Sequence, residues 1–586
     1  MPIARIMPWS LMMALAAQGL LAVAAEADPR DIARGLPIVS EGYCDQPYVV
    51  VTRDGNWLCV LTTGKGEEGQ RGQHVVSTIS KDHGKTWSRP VDIEPADGPE
   101  ASWVIPLVTP GGRVYAFYDY NGDRVSTLRG KPARADMLGW YVYRYSDDHG
   151  KSWSRERYRL PMRLTACDRA NDWNGEVQIF WGICKPQIIN NGMVFSFTKL
   201  GRYLLENGEG WLYRSDNILT ESDPAKLRFD LWPEGDRGIR SPEFGSIQEE
   251  HNLVQVAGDR LYCVYRTTRG FPCHTYSDDG GRSWGKPEPM TYTPGGRPIK
   301  TPRACPKLWR TSSGKFLFWF HHYAGTSWRP RNPAWIVGGV ERDGRIHWSQ
   351  PEVLLHGPES KADMSYPDLI EQDGRFWVTE TQKTVARVHE VDRTLLEGLW
   401  NQGKEKAVSR EGLVLDLSAE SLKPGSVDLE RRWDLSKSNG LTLDLWVRFD
   451  ELAQGQTILD NRNEAGKGIL LETAPNKTVR VVLNDGATKV SWECDPDLLR
   501  EKSPHHVAII ADNGPRLLSF VVDGFHCNGG KDRPSGWTRW KETMGDVTGS
   551  GKLRVGPSLK GKLERLRVYG RYLRTSEAVA SFHAGP

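Results

Sequence analysis

Six apolar, strand-like stretches of the 586-residue chain open on charged or polar residues, and several close on them. The openings carry Asp45 and Gln46, Glu100, Lys185, Glu249 and Glu250, Arg303, and Tyr366; the far ends add Arg266, His321, His322, Glu380 and Lys383. Ionisable groups at hydrophobic strand boundaries are unfavourable unless they are paired or used. One account is a ring of structural ion pairs around a solvent channel. The other is a site: carboxylates, imidazoles and a phenol held together can run general acid–base chemistry. That second account needs an architecture able to bring residues 45 and 366 to one place.

A repeat supplies it. "ISKDHGKTWS" at 79–88, "YSDDHGKSWS" at 145–154 and "YSDDGGRSWG" at 276–285 share Ser-x-Asp-x-Gly-x-[Ser/Thr]-Trp. These are turn residues: Asp accepts from nearby backbone N–H groups, Gly takes a positive φ, and Trp plugs the turn from below. On this reading Asp148 belongs to the turn and Asp147 to its solvated edge. The first two copies start 66 residues apart and the second and third 131 apart, so one unit between them has lost the motif, near "YRSDNILTES" at 213–222. Strand–turn–strand stretches starting at Gln46, Ser102, Lys185, Glu250, Ala304 and Tyr366 recur with a mean spacing of 64 residues between Pro47 and Pro367. This period predicts an all-β fold, a six-bladed β-propeller over residues 35–400. The inner strand of each blade starts near the axis, so the polar openings converge on one pocket.

Asp-box turns on a six-bladed propeller resemble the sialidase (neuraminidase) superfamily, and the resemblance covers residues 40–400. "EHNLVQVAGDRLYCVYR" sets Glu250 and Arg266 sixteen residues apart, a Glu opening one strand and an Arg closing the next. "SYPDLIEQDGRFWVTE" offers Tyr366 and Glu380 as the nucleophile strand. The resemblance implies a glycoside hydrolase in which Tyr366 attacks the anomeric carbon and Glu250 takes its proton. Arg266 and Arg303 would grip a substrate carboxylate, and Glu380 would hold an arginine in place. A phenol titrating near pH 10 needs such a base, and a neutral Tyr suits a substrate whose own carboxylate would repel an Asp or Glu. Asp45, Glu100, Lys185 and His321 join the expected substrate contacts from their strand positions. Two departures stand out. Asp45-Gln46-Pro47 replaces the family's first arginine, and "TTGKGEEGQRGQH" offers Glu67 and Glu68 where the family has an acid/base Asp. Glu68 could protonate a leaving oxygen if desolvation raised its pKa. With Asp45 in place of an arginine, the pocket should bind a carboxylate differently, or take a neutral or amino-bearing sugar.

Beyond a polar linker at 401–410, residues 411–586 are again β-rich. "LTLDLWVRF" alternates as a strand, "HHVAIIADNGPRLLSFVVDG" reads as two strands about Asn513-Gly514, and the chain ends in a short helical segment. This part resembles a concanavalin-like, laminin-G-type β-sandwich (jelly roll), either glycan-binding or purely a packing partner. The 23 Trp and 60 Gly fit turn-rich β structure, and a net charge of +3 with both signs interspersed gives no nucleic-acid footprint. Residues 1–24 read as a signal peptide, so the chain is expected to be secreted or periplasmic. No later stretch reaches the ~18 apolar residues of a membrane span. Nine scattered Cys lack metal spacing, so no metal or cofactor is expected, and Cys494 with Cys527 is one possible disulfide.

Three functions fit. The leading one is an exo-acting glycoside hydrolase removing a terminal, acidic, sialic-acid-like sugar from a glycan. A polysaccharide lyase would instead use His321, His322 or Tyr366 to abstract the proton beside a uronic-acid carboxylate. A propeller that has lost catalysis would only bind glycans.

Overall fold

A computed structural model describes residues 28–586 except 203–205, 359–362, 423–424, 429–431 and 541–542. The expected signal peptide at 1–24 lies outside the described residues. Six separate antiparallel sheets of four or five strands form first. Their inner strands are Tyr43–Val51 in blade 1, Ala101–Val108 in blade 2, the split pair Phe180–Trp181 and Gln187–Ile189 in blade 3, Gln248–Ala257 in blade 4, Lys307–Arg310 in blade 5, and Ser365–Gln372 in blade 6. Adjacent blades touch around the ring, inner strand on inner strand for blades 6, 1 and 2 and for blades 4, 5 and 6. Phe117 on Phe195 joins blades 2 and 3. The ring closes by strand exchange: Leu36–Ile38, from the start of the described chain, pairs with Ala386–Val391 as the outer strand of blade 6.

The three repeats are turns built alike. Asp148 accepts from Ser146 Oγ at 2.7 Å, Ser152 N at 2.9 Å and Ser152 Oγ at 2.6 Å, while Gly150 N donates to Ser146 Oγ at 2.8 Å. Asp82 and Asp279 repeat this pattern. Gly150 sits at φ 85°, and a Cβ there would meet Leu58 Cδ1 at 2.4 Å, so both backbone and space call for Gly. In the degenerate fourth copy Asn217 stands in for the Asp and accepts from Ser215 Oγ at 3.3 Å. One detail differs from expectation. Asp147 is not merely solvated; it pairs with Arg113 at 2.7 Å.

After the helix Arg393–Asn401 the chain folds into two facing sheets of seven and six strands. Leu443, Val447, Ile458, Leu471, Val481, Ile509, Phe520 and Val568 fill the space between them. The last element is the helix Thr575–Ala584. This β-sandwich is docked on the propeller. Arg297 pairs with Asp495 at 2.5 Å, Trp537 Nε1 donates to the His322 carbonyl at 2.9 Å, and Glu352 accepts from Ser576 N and Oγ, each at 2.8 Å. The suggested disulfide is absent: all nine cysteines are free, buried thiols, and Cys494 and Cys527 each accept a backbone N–H at 3.3 Å.

Candidate active site

Four inner strands break register at the same place. The ladder slips between Asp45 and Tyr48, Ser102 and Ile105, Glu249 and Asn252, and Ser365 and Asp368. At each slip one residue takes a left-handed backbone: Gln46 (φ 51°), Trp103 (φ 59°), Glu250 (φ 58°) and Tyr366 (φ 44°). None is a glycine, so each costs about 1–3 kcal/mol and persists only because its surroundings fix it. A bulge re-aims the side chain it carries. Here two of the four meet: Tyr366 Oη donates to Glu250 Oε1 at 2.8 Å, although they are 116 residues apart.

Arg266 fixes that carboxylate through Nη1 at 2.7 Å and reaches the neighbouring Glu249 Oε2 through Nη2 at 2.7 Å and Nε at 2.8 Å. Arg303 grips Glu249 from the other side, Nη2 to Oε1 at 2.9 Å and Nε to Oε2 at 3.1 Å. Tyr366 and Glu250 are only 4% and 1% exposed. Burial, and then the Glu250 charge, push the phenol well above its ordinary pKa against the opposing Arg266. Tyr366 therefore keeps its proton until a base removes it, and Glu250 is in place to do so.

On the other side of the Tyr366 ring lies Lys383, its Nζ 4.2 Å from the ring centroid. It pairs with Asp45 at 2.6 Å and Glu68 at 3.0 Å, so the cation that the blade 1 opening lacks arrives from blade 6. Burial pushes Asp45 up, whereas for Glu68 burial is outweighed by Lys383 and Arg134, which hold it at about 2. Glu68 thus joins the cluster as an anion; the raised pKa that acid duty requires is not there. Its neighbour Arg134 continues to Asp136 at 2.6 Å. Glu100 lies on this same rim, accepting the Gly72 N–H at 3.3 Å from the loop that carries Glu68. Burial, with Asp136 nearby, pushes Glu100 up to about 8, so this carboxyl is protonated at neutral pH. Trp103 lines the third side, edge-on to Tyr366 at 6.1 Å.

Three expected contacts lie elsewhere. Glu380 pairs with Arg387 at 3.6 Å and His389 at 3.5 Å, within its own blade. Its neighbours Thr379 and Thr381 donate to blade 1 carbonyls, so strand alternation turns Glu380 to the opposite face. Lys185 is held by Asp368 at 2.7 Å and the Val49 carbonyl at 2.8 Å, a tie between blades 3, 6 and 1. His321 is buried with Nδ1 3.1 Å from the Pro333 carbonyl, and burial, aided by Arg331, lowers its imidazole to about 3. His322, equally buried, is also pushed down, and its Nδ1 lies 3.3 Å from the Tyr292 hydroxyl.

Arg331 escaped the sequence reading. It donates through Nη1 to Ser365 Oγ at 2.5 Å, beside Tyr366, and through Nε to the Trp328 carbonyl at 2.8 Å. It sits in the "SWRPRNP" loop, outside the strand periodicity, so spacing could not have found it. Among the described residues no three His, Cys, Asp or Glu side chains converge as metal ligands.

Residues 424–579 match the Laminin_G_3 family, described as the concanavalin A-like lectin/glucanases superfamily. No curated protein matches the chain. Among solved structures, Trypanosoma rangeli sialidase aligns over 93% of this chain and 94% of its own at 15% identity, with a TM-score of 0.43. The NanB sialidase from Streptococcus pneumoniae aligns over 61% and 68% at 12% identity, TM-score 0.41. A protein of unknown function from Dyadobacter fermentans aligns over 61% and 97% at 15% identity, TM-score 0.44.

Proposed function

We propose that the propeller is the catalytic unit of a sialidase-like glycoside hydrolase that releases a terminal sugar. The observation that carries this reading is the buried Tyr366–Glu250 hydrogen bond of 2.8 Å, fixed by Arg266 at 2.7 Å. Tyr366 Oη attacks the anomeric carbon while its proton passes to Glu250. The bond from that carbon to the leaving oxygen breaks, and the oxygen takes a proton from an acid. Water then cleaves the tyrosyl–sugar bond, returning a free reducing sugar and the phenol. Glu100 is better suited to give that proton than Glu68, since burial keeps Glu100 protonated up to about 8. Glu68 and Lys383 would instead orient sugar hydroxyls.

The lyase reading loses two of its three candidate bases, since His321 bonds the Pro333 carbonyl and His322 the Tyr292 hydroxyl; Tyr366 stays open to it. For the β-sandwich, the Trp537, Asp495 and Ser576 contacts favour packing against blade 5 and the strand Glu352–Leu355, alongside any glycan binding of its own. The test is product analysis with glycan substrates. A free reducing sugar without ultraviolet-absorbing unsaturation supports hydrolysis; an unsaturated product supports a lyase, and neither supports a binder.

A further inference from the structure

A guanidinium recognises a carboxylate through two parallel N–H groups along one edge. In this site the Nε–Nη2 edge is already taken on two arginines. Arg266 presents Nε and Nη2 to Glu249 Oε2, and its Nη1 to Glu250. Arg303 presents Nε and Nη2 to the same Glu249. Glu249 is fully buried, so an incoming ligand cannot displace it into water. It is in effect an internal carboxylate held where a substrate carboxylate would be clamped. The Lys383 ammonium is shared between Asp45 and Glu68, and Arg331 is engaged by Ser365 and the Trp328 carbonyl.

We propose that the site selects a terminal sugar without a carboxylate, and that Glu249 is the residue that sets this preference. The inference rests on the hydrolase reading and replaces the expected acidic sugar. A substrate carboxylate would be desolvated beside Glu249, Glu250 and Glu68 while the Nε–Nη2 edges of both Arg266 and Arg303 are filled by Glu249, an arrangement that disfavours binding. The hydroxyls of a neutral sugar carry no such charge. Each can bridge groups already paired, because a carboxylate oxygen accepts more than one hydrogen bond.

The test is a panel of 4-methylumbelliferyl glycosides with the full chain: one ulosonic acid, one uronic acid, and neutral hexose, deoxyhexose and acetamidohexose members. The expected result is a kcat/KM for at least one neutral member about tenfold or more above both acidic ones. A preference for either acidic glycoside overturns the inference and leaves the hydrolase reading standing. Glu249→Gln should free guanidinium edges and narrow the neutral-to-acidic ratio about tenfold; an unchanged ratio in a folded variant removes Glu249 as its cause. Should that variant not fold, the wild-type ratio decides alone. If no member is cleaved, the hydrolase reading falls, and melting-temperature shifts with the free sugars decide the selectivity. Stabilisation by a neutral sugar only supports it; stabilisation by an acidic sugar, or by none, overturns it.

Discussion

Two sets of residues recur around the propeller, and they are opposites. The Ser-x-Asp-x-Gly turns of blades 1, 2 and 4 are conspicuous in sequence and satisfied within themselves: Asp148 receives three hydrogen bonds from Ser146 and Ser152, both in its own turn. The axial bulges share no residue type, being Gln46, Trp103, Glu250 and Tyr366, and each holds a strained left-handed backbone. One set repeats its side chains because the same local structure is built each time. The other repeats only its backbone, leaving each blade free to deliver a different side chain to the axis. On the proposed hydrolase reading, stability is written in the repeat and chemistry in its variation, the division expected where strain collects at functional positions.

The comparison predicts that axial substitutions abolish turnover and spare the fold. Tyr366→Phe removes the attacking oxygen and should lower kcat by about 10³-fold or more while the melting temperature stays within a few degrees. Phe keeps the ring against Trp103 and beneath Lys383, so a large stability loss would mean that the bulge, not the hydroxyl, was the point. Glu250→Gln should reduce kcat by about 10²–10⁴-fold, the usual range for a lost proton acceptor, read in steady-state kinetics on the best panel glycoside. Normal rates would remove Glu250 as the base.

What was legible in the sequence follows the same division. The repeat spacing and the alternating strands were enough for the all-β class, and the strand openings led to Glu250, Tyr366, Asp45 and Arg303. Proline marked two of the bulges, Pro47 after Gln46 and Pro367 after Tyr366. Partnership was not legible. That Lys383 would reach Asp45, or Glu249 would engage two arginines, depends on how blades 4, 5, 6 and 1 meet in space, which no one-dimensional spacing encodes. Glu380 shows the converse: its distance along the chain from Tyr366 suited the pocket, yet one step of strand alternation put it on the other face. Arg331 lay in an aperiodic loop and left no signal at all.

A smaller effect separates Glu100 from Glu68. If Glu100 donates the proton, kcat/KM should fall as pH rises through about 8, where this carboxyl loses its proton. Glu100→Gln should abolish that limb and slow poor leaving groups by about 10²-fold, with less effect on aryl glycosides that need little protonation. A limb that survives in Glu100→Gln assigns it to another group. The stability linkage has a definite sign. A carboxyl whose folded pKa is raised favours folding below its unfolded value of about 4.3, and this contribution is lost as pH rises through about 8.

The smallest effect on activity belongs to the turns. Asp148→Ala removes an acceptor that takes hydrogen bonds from Ser152 N, Ser152 Oγ and Ser146 Oγ at 2.6–2.9 Å. The turn is solvent-facing, so water replaces part of what is lost, and the expected cost is about 1–2 kcal/mol, a few degrees of melting temperature. kcat should stay within about twofold, because Asp148 bonds only within its own turn and not to the axis. The deficit should also depend on pH. Burial alone would raise the Asp148 carboxyl, but the bonds from Ser152 and Ser146 hold it below its ordinary value. Its contribution is therefore present above the unfolded carboxyl pKa of about 3.9 and lost as pH falls through the lower folded value. Wild type and Asp148→Ala should melt several degrees apart at neutral pH and converge in acid. A gap that persists in acid would show that Asp148 acts through packing rather than through its charge, and a loss of activity at neutral pH would break the separation between turn and axis.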